Sequence, residues 1–180
     1  MDKGSPLLLK TAGLVKTYLS SDRNITVLDK IDFEASEGNF IAIVGRSGSG
    51  KTTFLNMLAG LDTPSQGSVF INGKNLSDMN DAELTQLRRH TVGFVFQSFG
   101  LLPLLSAYEN IELPLRISGY PVKDRSLLTM EALEIVGLKK RSHHRPYELS
   151  GGEQKRVAIA RAIVTKPPLI LADEPTGELD

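Results

Sequence analysis

The chain has 180 residues, with 21 Lys plus Arg against 21 Asp plus Glu and no cysteine. That length fits one domain burying roughly 70% of its unfolded surface, and the even charge balance argues against a broadly basic nucleic-acid footprint. Without cysteine there are no disulfides, thiolate zinc sites or thiol chemistry, no apolar run reaches the ~20 residues that cross a bilayer, and Met1–Pro6 carries no charged-then-apolar leader.

Taken in chain order, residues 7–18 and 25–35 alternate apolar and polar positions around the polar stretch Ser20-Ser21-Asp22-Arg23-Asn24, which predicts an antiparallel pair. Phe40-Ile41-Ala42-Ile43-Val44 reads as a buried strand, followed by a glycine-rich loop and a helix with Phe54, Leu55, Met57 and Leu58 on its inner side. Gly60 and Asp62-Thr63-Pro64 end that helix. A short strand, 68–71, meets the hairpin signal Asn72-Gly73. A polar helix spans 81–89, a strand 91–96, and two helices 106–117 and 124–137. Helix 150–165 precedes the apolar strand 169–172. Strand–helix alternation around the loop predicts a mainly parallel sheet with helices on both faces, and the helical stretch 106–148 is expected to form a lobe of its own.

Gly45-Arg46-Ser47-Gly48-Ser49-Gly50-Lys51-Thr52-Thr53 has the spacing of a P-loop, placed between strand and helix. Glycines let backbone amides close around phosphate oxygens, and the helix start adds its positive dipole end. Lys51 can reach the β- and γ-phosphates, and the Thr52 hydroxyl can ligate Mg²⁺. Strand 169–172 delivers Asp173 and Glu174 at its carboxyl end, where open α/β sheets bind ligands. Asp173 suits the acidic partner of Mg²⁺, and Glu174 a carboxylate that orients or deprotonates an attacking water. Leu149-Ser150-Gly151-Gly152-Glu153-Gln154 is a capping box with two glycines in the first helical turn, which allow close approach of a second phosphate-binding surface.

In sequence order, Gly45–Thr53, Gln97, Leu149–Gln154, Leu169–Glu174 and Gly177-Glu178-Leu179-Asp180 resemble the motifs of ABC-type ATPase subunits, and the likeness runs from about Leu7 onward. The resemblance implies an α/β P-loop NTPase core with a mainly parallel sheet, an N-terminal antiparallel β part and an inserted helical lobe at about 98–160. Residues 1–180 would form a single, C-terminally incomplete nucleotide-binding domain. It further implies ATP and Mg²⁺ as ligands. Tyr18 would stack on adenine; Gly45, Arg46, Ser47, Gly48, Ser49, Gly50, Lys51, Thr52 and Thr53 would hold phosphates. Ser150, Gly151, Gly152 and Gln154 would close over the triphosphate of a second subunit in a head-to-tail homodimer or pseudo-symmetric dimer. Thr52, Gln97 and Asp173 would serve the metal, and Glu174 and Gln97 the hydrolysis. The partner implied is a transmembrane permease, the location the cytoplasmic face of the cell membrane, and no nucleic acid is expected.

Ala59-Gly60-Leu61-Asp62, Arg88-Arg89, Val92–Gln97, Leu101-Leu102-Pro103 and Glu109-Asn110-Ile111 are similar to one bacterial branch, the ATPases of lipoprotein release, macrolide export and antimicrobial-peptide export. Arg46 stands where that family often has proline. The family continues past the last loop into a strand with a switch histidine, a position matched by none of His90, His143 and His144, so residues 1–180 alone are expected to bind ATP and hydrolyse it poorly. The competing readings are a non-hydrolysing regulatory subunit and a soluble DNA-repair or translation ABC ATPase. Only about 100 residues separate Lys51 from Ser150, without sustained heptads, which leaves no room for the coiled-coil arms of a chromosome-associated type.

Overall fold

Alternation on either side of a polar turn gives each of the first two segments one apolar face, and pairing them buries it. The computed structural model describes residues 6–20 and 23–177. In it β1 (Leu7–Ser20) and β2 (Arg23–Ser36) form the expected antiparallel pair; Ser21 and Asp22 lie outside the described residues. The register shifts between Thr11 and Leu14, where the Gly13 amide donates to the Asp32 carboxylate at 2.7 Å, so the residues of this bulge still find partners. β3 (Gln66–Ile71) adds to the other edge of β1, and β4 (Lys74–Asn75) completes the order β2-β1-β3-β4. Asn72 (φ 50°) and Gly73 (φ 73°) both take the left-handed backbone that a two-residue hairpin requires.

The chain divides into two compact units, Met1–Gln86 and Leu87–Asp180. In the first, α1 (Lys51–Leu58) buries Phe54, Leu55, Met57 and Leu58, as its periodicity predicts. The Phe54 ring meets Phe33 of β2 edge-on, with centroids 5.6 Å apart. Residues 40–44 depart from expectation. They belong to neither sheet, and Phe40 and Val44 are 98% and 88% exposed. An apolar run records a demand for neighbours, whereas a strand exists only where another strand supplies the ladder. Among the described residues none does so for this segment.

The unit boundary falls within α2 (Asp81–Thr91). The second unit holds β5 (Val92–Val95) and β6 (Leu169–Ala172), a parallel pair in register from Val92↔Leu169 to Val95↔Ala172. The parallel part of the fold therefore comprises two strands among the described residues. Three helices accompany it: α3 (Ala107–Ile117), α4 (Val122–Ile135) and α5 (Gly151–Ile163). Ile111, Leu115, Leu133, Leu138, Val157 and Ala160 form the centre of their shared core. Helix ends shift by one or two residues from the predicted ranges for local reasons. Ser106 and Ser150 are N-caps rather than first helical residues, Pro121 sets the start of α4, and Gly137 (φ 71°) closes the turn after it. No helix among the described residues is long and apolar enough to cross a membrane.

Packing of α5 on β5 depends on Gly93. A Cβ there would collide with the Ala162 carbonyl and lie 2.8 Å from Pro167 Cγ. Backbone cannot step aside as a flexible side chain can, so Gly93→Ala is expected to cost about 2–3 kcal/mol. A lowered urea midpoint with unchanged m-value would register that loss.

Candidate functional site

The P-loop lies in the first unit. Gly50, the N-cap of α1, has φ 91°, and a Cβ on it would sit 3.0 Å from both Val27 Cγ1 and the Val27 carbonyl; this position needs glycine for conformation and for space. The Ser49 amide donates to the Arg46 carbonyl at 3.2 Å, turning the loop, and Arg46, Ser47, Gly48 and Ser49 are all exposed. Lys51 folds back over the loop it follows. Its ammonium donates to the Gly45 and Arg46 carbonyls, each at 3.0 Å, which holds a positive charge against the turn. Thr52 is exposed and Thr53 half-buried on the first turn of α1. Exposed amides, a lysine and a helix start make a cradle for anionic oxygens.

Tyr18 is 40% exposed near the end of β1. Its hydroxyl donates to Asp62 at 3.0 Å, and the Lys16 ammonium lies 4.9 Å from its ring centroid. Asp62 also accepts from Lys16 and from the Thr63 amide, each at 2.7 Å. Burial pushes the Asp62 carboxyl up, but hydrogen bonds from Lys16, the Thr63 amide and Tyr18, with the Lys16 charge, bring it below the ordinary value. The ring is thus held in place by a network that predates any ligand contact.

Gln97, Asp173 and Glu174 belong to the second unit, and the parallel pair brings them together. The Asp173 amide donates to the Val95 carbonyl at 2.9 Å, carrying the β5–β6 ladder one residue further. Asp173 is 4% exposed. Glu174 turns outward with φ 48°, a left-handed backbone that costs a non-glycine residue about 1–2 kcal/mol, and the Gly177 amide closes the turn on its carbonyl at 3.1 Å. Gln97 Nε2 donates to Glu174 Oε2 at 3.1 Å. In this unit the remaining amide oxygen of Gln97 and the Asp173 carboxylate, and in the first unit the Thr52 hydroxyl, are each hard oxygen donors of the kind Mg²⁺ takes. Among the described residues no group of three His, Cys, Asp or Glu could hold a metal by itself.

The head of α5 is a complete capping box. Ser150 Oγ accepts from the Glu153 amide at 3.2 Å, and Glu153 accepts from the Ser150 amide at 2.9 Å. Ser150 and Gly151 are exposed, and Gly152 is half-buried. Gln154 turns inward, its Nε2 donating to the Leu149 carbonyl at 3.1 Å. Residues 178–180 of the Gly177–Asp180 motif lie outside the described residues. Asn110, which the sequence offers only as part of a family likeness, is wholly buried. Its side chain accepts from the Leu102 amide and donates to the Leu102, Leu105 and Ser106 carbonyls, fixing the segment between Gln97 and α3. An asparagine on the apolar face of an amphipathic helix was the signal available. Lys155, on the buried face of α5 with Ala158 and Ala162, was another.

These motifs coincide with a known family. The family model described as ABC transporter matches residues 28–177. The chain belongs to the ABC transporter family. It is 48% identical over 174 residues to the lipoprotein-releasing system ATP-binding protein LolD of Chromohalobacter salexigens, covering 97% of this chain and 73% of that relative. An uncharacterized ABC transporter ATP-binding protein of Thermotoga maritima is 51% identical over 165 residues, covering 92% and 70%. Among solved structures, the dimeric post-hydrolysis state of the ATP-binding cassette MJ0796 bound to ADP and Pi, a protein of Methanocaldococcus jannaschii, superposes with a TM-score of 0.92 at 44% identity, covering 96% of this chain and 76% of that one. The protein is accordingly an ATP-binding, ATPase subunit of the ABC transporter family, with the α/β cassette fold.

The Ser150 amide holds the Glu153 carboxyl below its ordinary value of 4.5, against the opposing effect of burial and with help from Arg141, the Ser150 hydroxyl and Arg156. A lowered value means that the cap contributes fully above about pH 4.5 and is lost as pH falls through the folded-state value. Ser150→Ala should cost about 1 kcal/mol at neutral pH. Glu153→Gln should flatten the acid limb of the unfolding midpoint followed by circular dichroism, because the carboxylate that must be protonated is gone.

Proposed function

We propose that this chain energises a bacterial membrane complex of the lipoprotein-release or export type, by closing head to tail on a second cassette around ATP and hydrolysing it. The observation that carries the reading is the Gln97–Glu174 hydrogen bond beside buried Asp173, at the carboxyl end of a parallel pair. A carboxylate positioned by an amide can accept a proton from the water that attacks the γ-phosphate, while the amide orients that water. Lys51 and the loop residues 45–53 hold the β- and γ-phosphates, and Tyr18 stacks on the base. Mg²⁺, held by Thr52, Gln97 and Asp173, would offset the phosphate charge. Ser150 and Gly151 are exposed and Gly152 half-buried at the head of α5, the position from which a helix N-terminus can meet the triphosphate of the facing subunit. The two units would then act as one nucleotide-binding domain, with a helical portion at about 98–160.

The kinship with lipoprotein-releasing relatives and the ABC transporter family match support the branch and attachment to the membrane through a permease at its cytoplasmic face. ATP turnover in the presence of Mg²⁺, with Lys51→Ala as the blank, is the first measurement. Glu174→Gln is expected to lower kcat by about 10²–10⁴-fold while ATP binding persists, and to accumulate as an ATP-dependent dimer in size exclusion. Turnover at the parent rate in that variant would remove Glu174 from the role of base. Nucleotide-dependent dimerisation with no turnover in the parent chain would favour a regulatory subunit instead.

A further inference from the structure

The chain leaves β5 through Phe96, Gln97, Ser98, Phe99 and Gly100, and this segment is held in a form that it would not choose unaided. Phe99 has φ 61° and Gly100 φ 59°; a bulky aromatic residue in the left-handed region persists only where its surroundings impose it. The backbone closes on itself through the Phe99 amide to the Phe96 carbonyl at 3.2 Å and the Gly100 amide to the Ser98 carbonyl at 2.6 Å. Carbonyls of the segment also accept from two cations of one helix. Arg161 of α5 donates from Nη1 to the Gly100 carbonyl at 2.6 Å and from Nη2 to the Phe99 carbonyl at 2.9 Å. Lys155, six residues nearer the helix head, directs Nζ at the Phe96 and Gln97 carbonyls, each at 3.4 Å, and lies 5.4 Å from the Phe99 ring centroid.

Lys155 is 1% exposed. Burying an ammonium is costly, and such a charge is usually matched by a carboxylate. Among the described residues no salt bridge involves Lys155 or Arg161. A methionine would fill the same space at lower desolvation cost. What the cation adds is a directed grip on two carbonyls, one of them belonging to the residue whose side chain meets Glu174.

We propose that Lys155 and Arg161 are positioning residues that clamp Phe96–Gly100 to α5 and thereby set where Gln97 presents its amide to Glu174. The inference rests on the reading that Gln97 and Glu174 serve ATP hydrolysis. Its consequence is that the helix headed by Ser150 and the segment carrying Gln97 keep a common register, so displacement of α5 displaces Gln97.

The test combines turnover with amide hydrogen exchange on the purified chain. Lys155→Met keeps the stem and removes the charge, and Lys155→Arg restores a cation. Lys155→Met is expected to lower kcat by about 10–100-fold with KM for ATP within about two-fold, to speed exchange of amides 97–100, and to be substantially rescued by Lys155→Arg. In a Gln97→Ala background the same change should have almost no further effect on kcat, because both act through one group. An undiminished loss in that background, or parent turnover and parent exchange in Lys155→Met, overturns the clamp. If Gln97→Ala alone turns ATP over at the parent rate, the role of Gln97 falls, while exchange at 97–100 still decides whether the clamp exists. Should Lys155→Met not fold, Arg161→Lys with the same two readouts replaces it, and unchanged exchange together with unchanged kcat again overturns the proposal.

Discussion

Backbone amides and carbonyls must find partners, and the demand is sharpest where the chain leaves a strand or a helix. The residues singled out in this protein stand at such exits. Lys51 serves the carbonyls of the loop between residue 44 and α1. Ser150 and Glu153 serve the amides at the head of α5, and Asn110 serves the segment ahead of α3. Lys155 and Arg161 serve the carbonyls beyond β5. A ligand-binding surface made of backbone groups can exist only if nearby side chains decide which of those groups are spent internally and which face outward.

The β5–β6 pair shows how little regular structure a site of this kind requires. Four ladder positions and one extra hydrogen bond from Asp173 place the ends of two strands side by side, and Gln97 and Glu174 meet there across 77 residues of sequence. The left-handed backbone at Glu174 and at Phe99 re-aims the chain at both exits. Its cost is small beside the core of the second unit, where Ile111, Leu115, Leu133 and Val157 are fully buried.

Much of this was legible in the residues. The β1–β2 pair followed from alternation, the β3–β4 turn from Asn72-Gly73, and the head of α5 from Ser-x-x-Glu. These are local signals whose causes lie within a few residues of their effects. The segment 40–44 was read as a buried strand because of its apolarity, yet burial is a property of neighbours, and none pairs with it among the described residues. Lys155 went unread for the converse reason. A charged side chain in sequence reads as solvent-facing, and only the carbonyls gathered around it reveal why this one is buried. The proximity of Gln97 to Glu174 was expected from family likeness; the residues themselves indicated only that each ends an apolar strand.

The capping boxes also bear on the order of folding. Asn80 with Glu83, Ser106 with Glu109 and Ser150 with Glu153 each close a start signal within four residues, so nucleation at these helix heads involves almost no loop-closure entropy. The β1–β3 pairing joins residues about fifty to sixty positions apart, and a contact of that span is slow to form. In kinetic terms the helix heads carry their own early instructions, whereas the β1–β3 pairing and the β5–β6 pairing, 77 positions apart, must each wait for a distant partner.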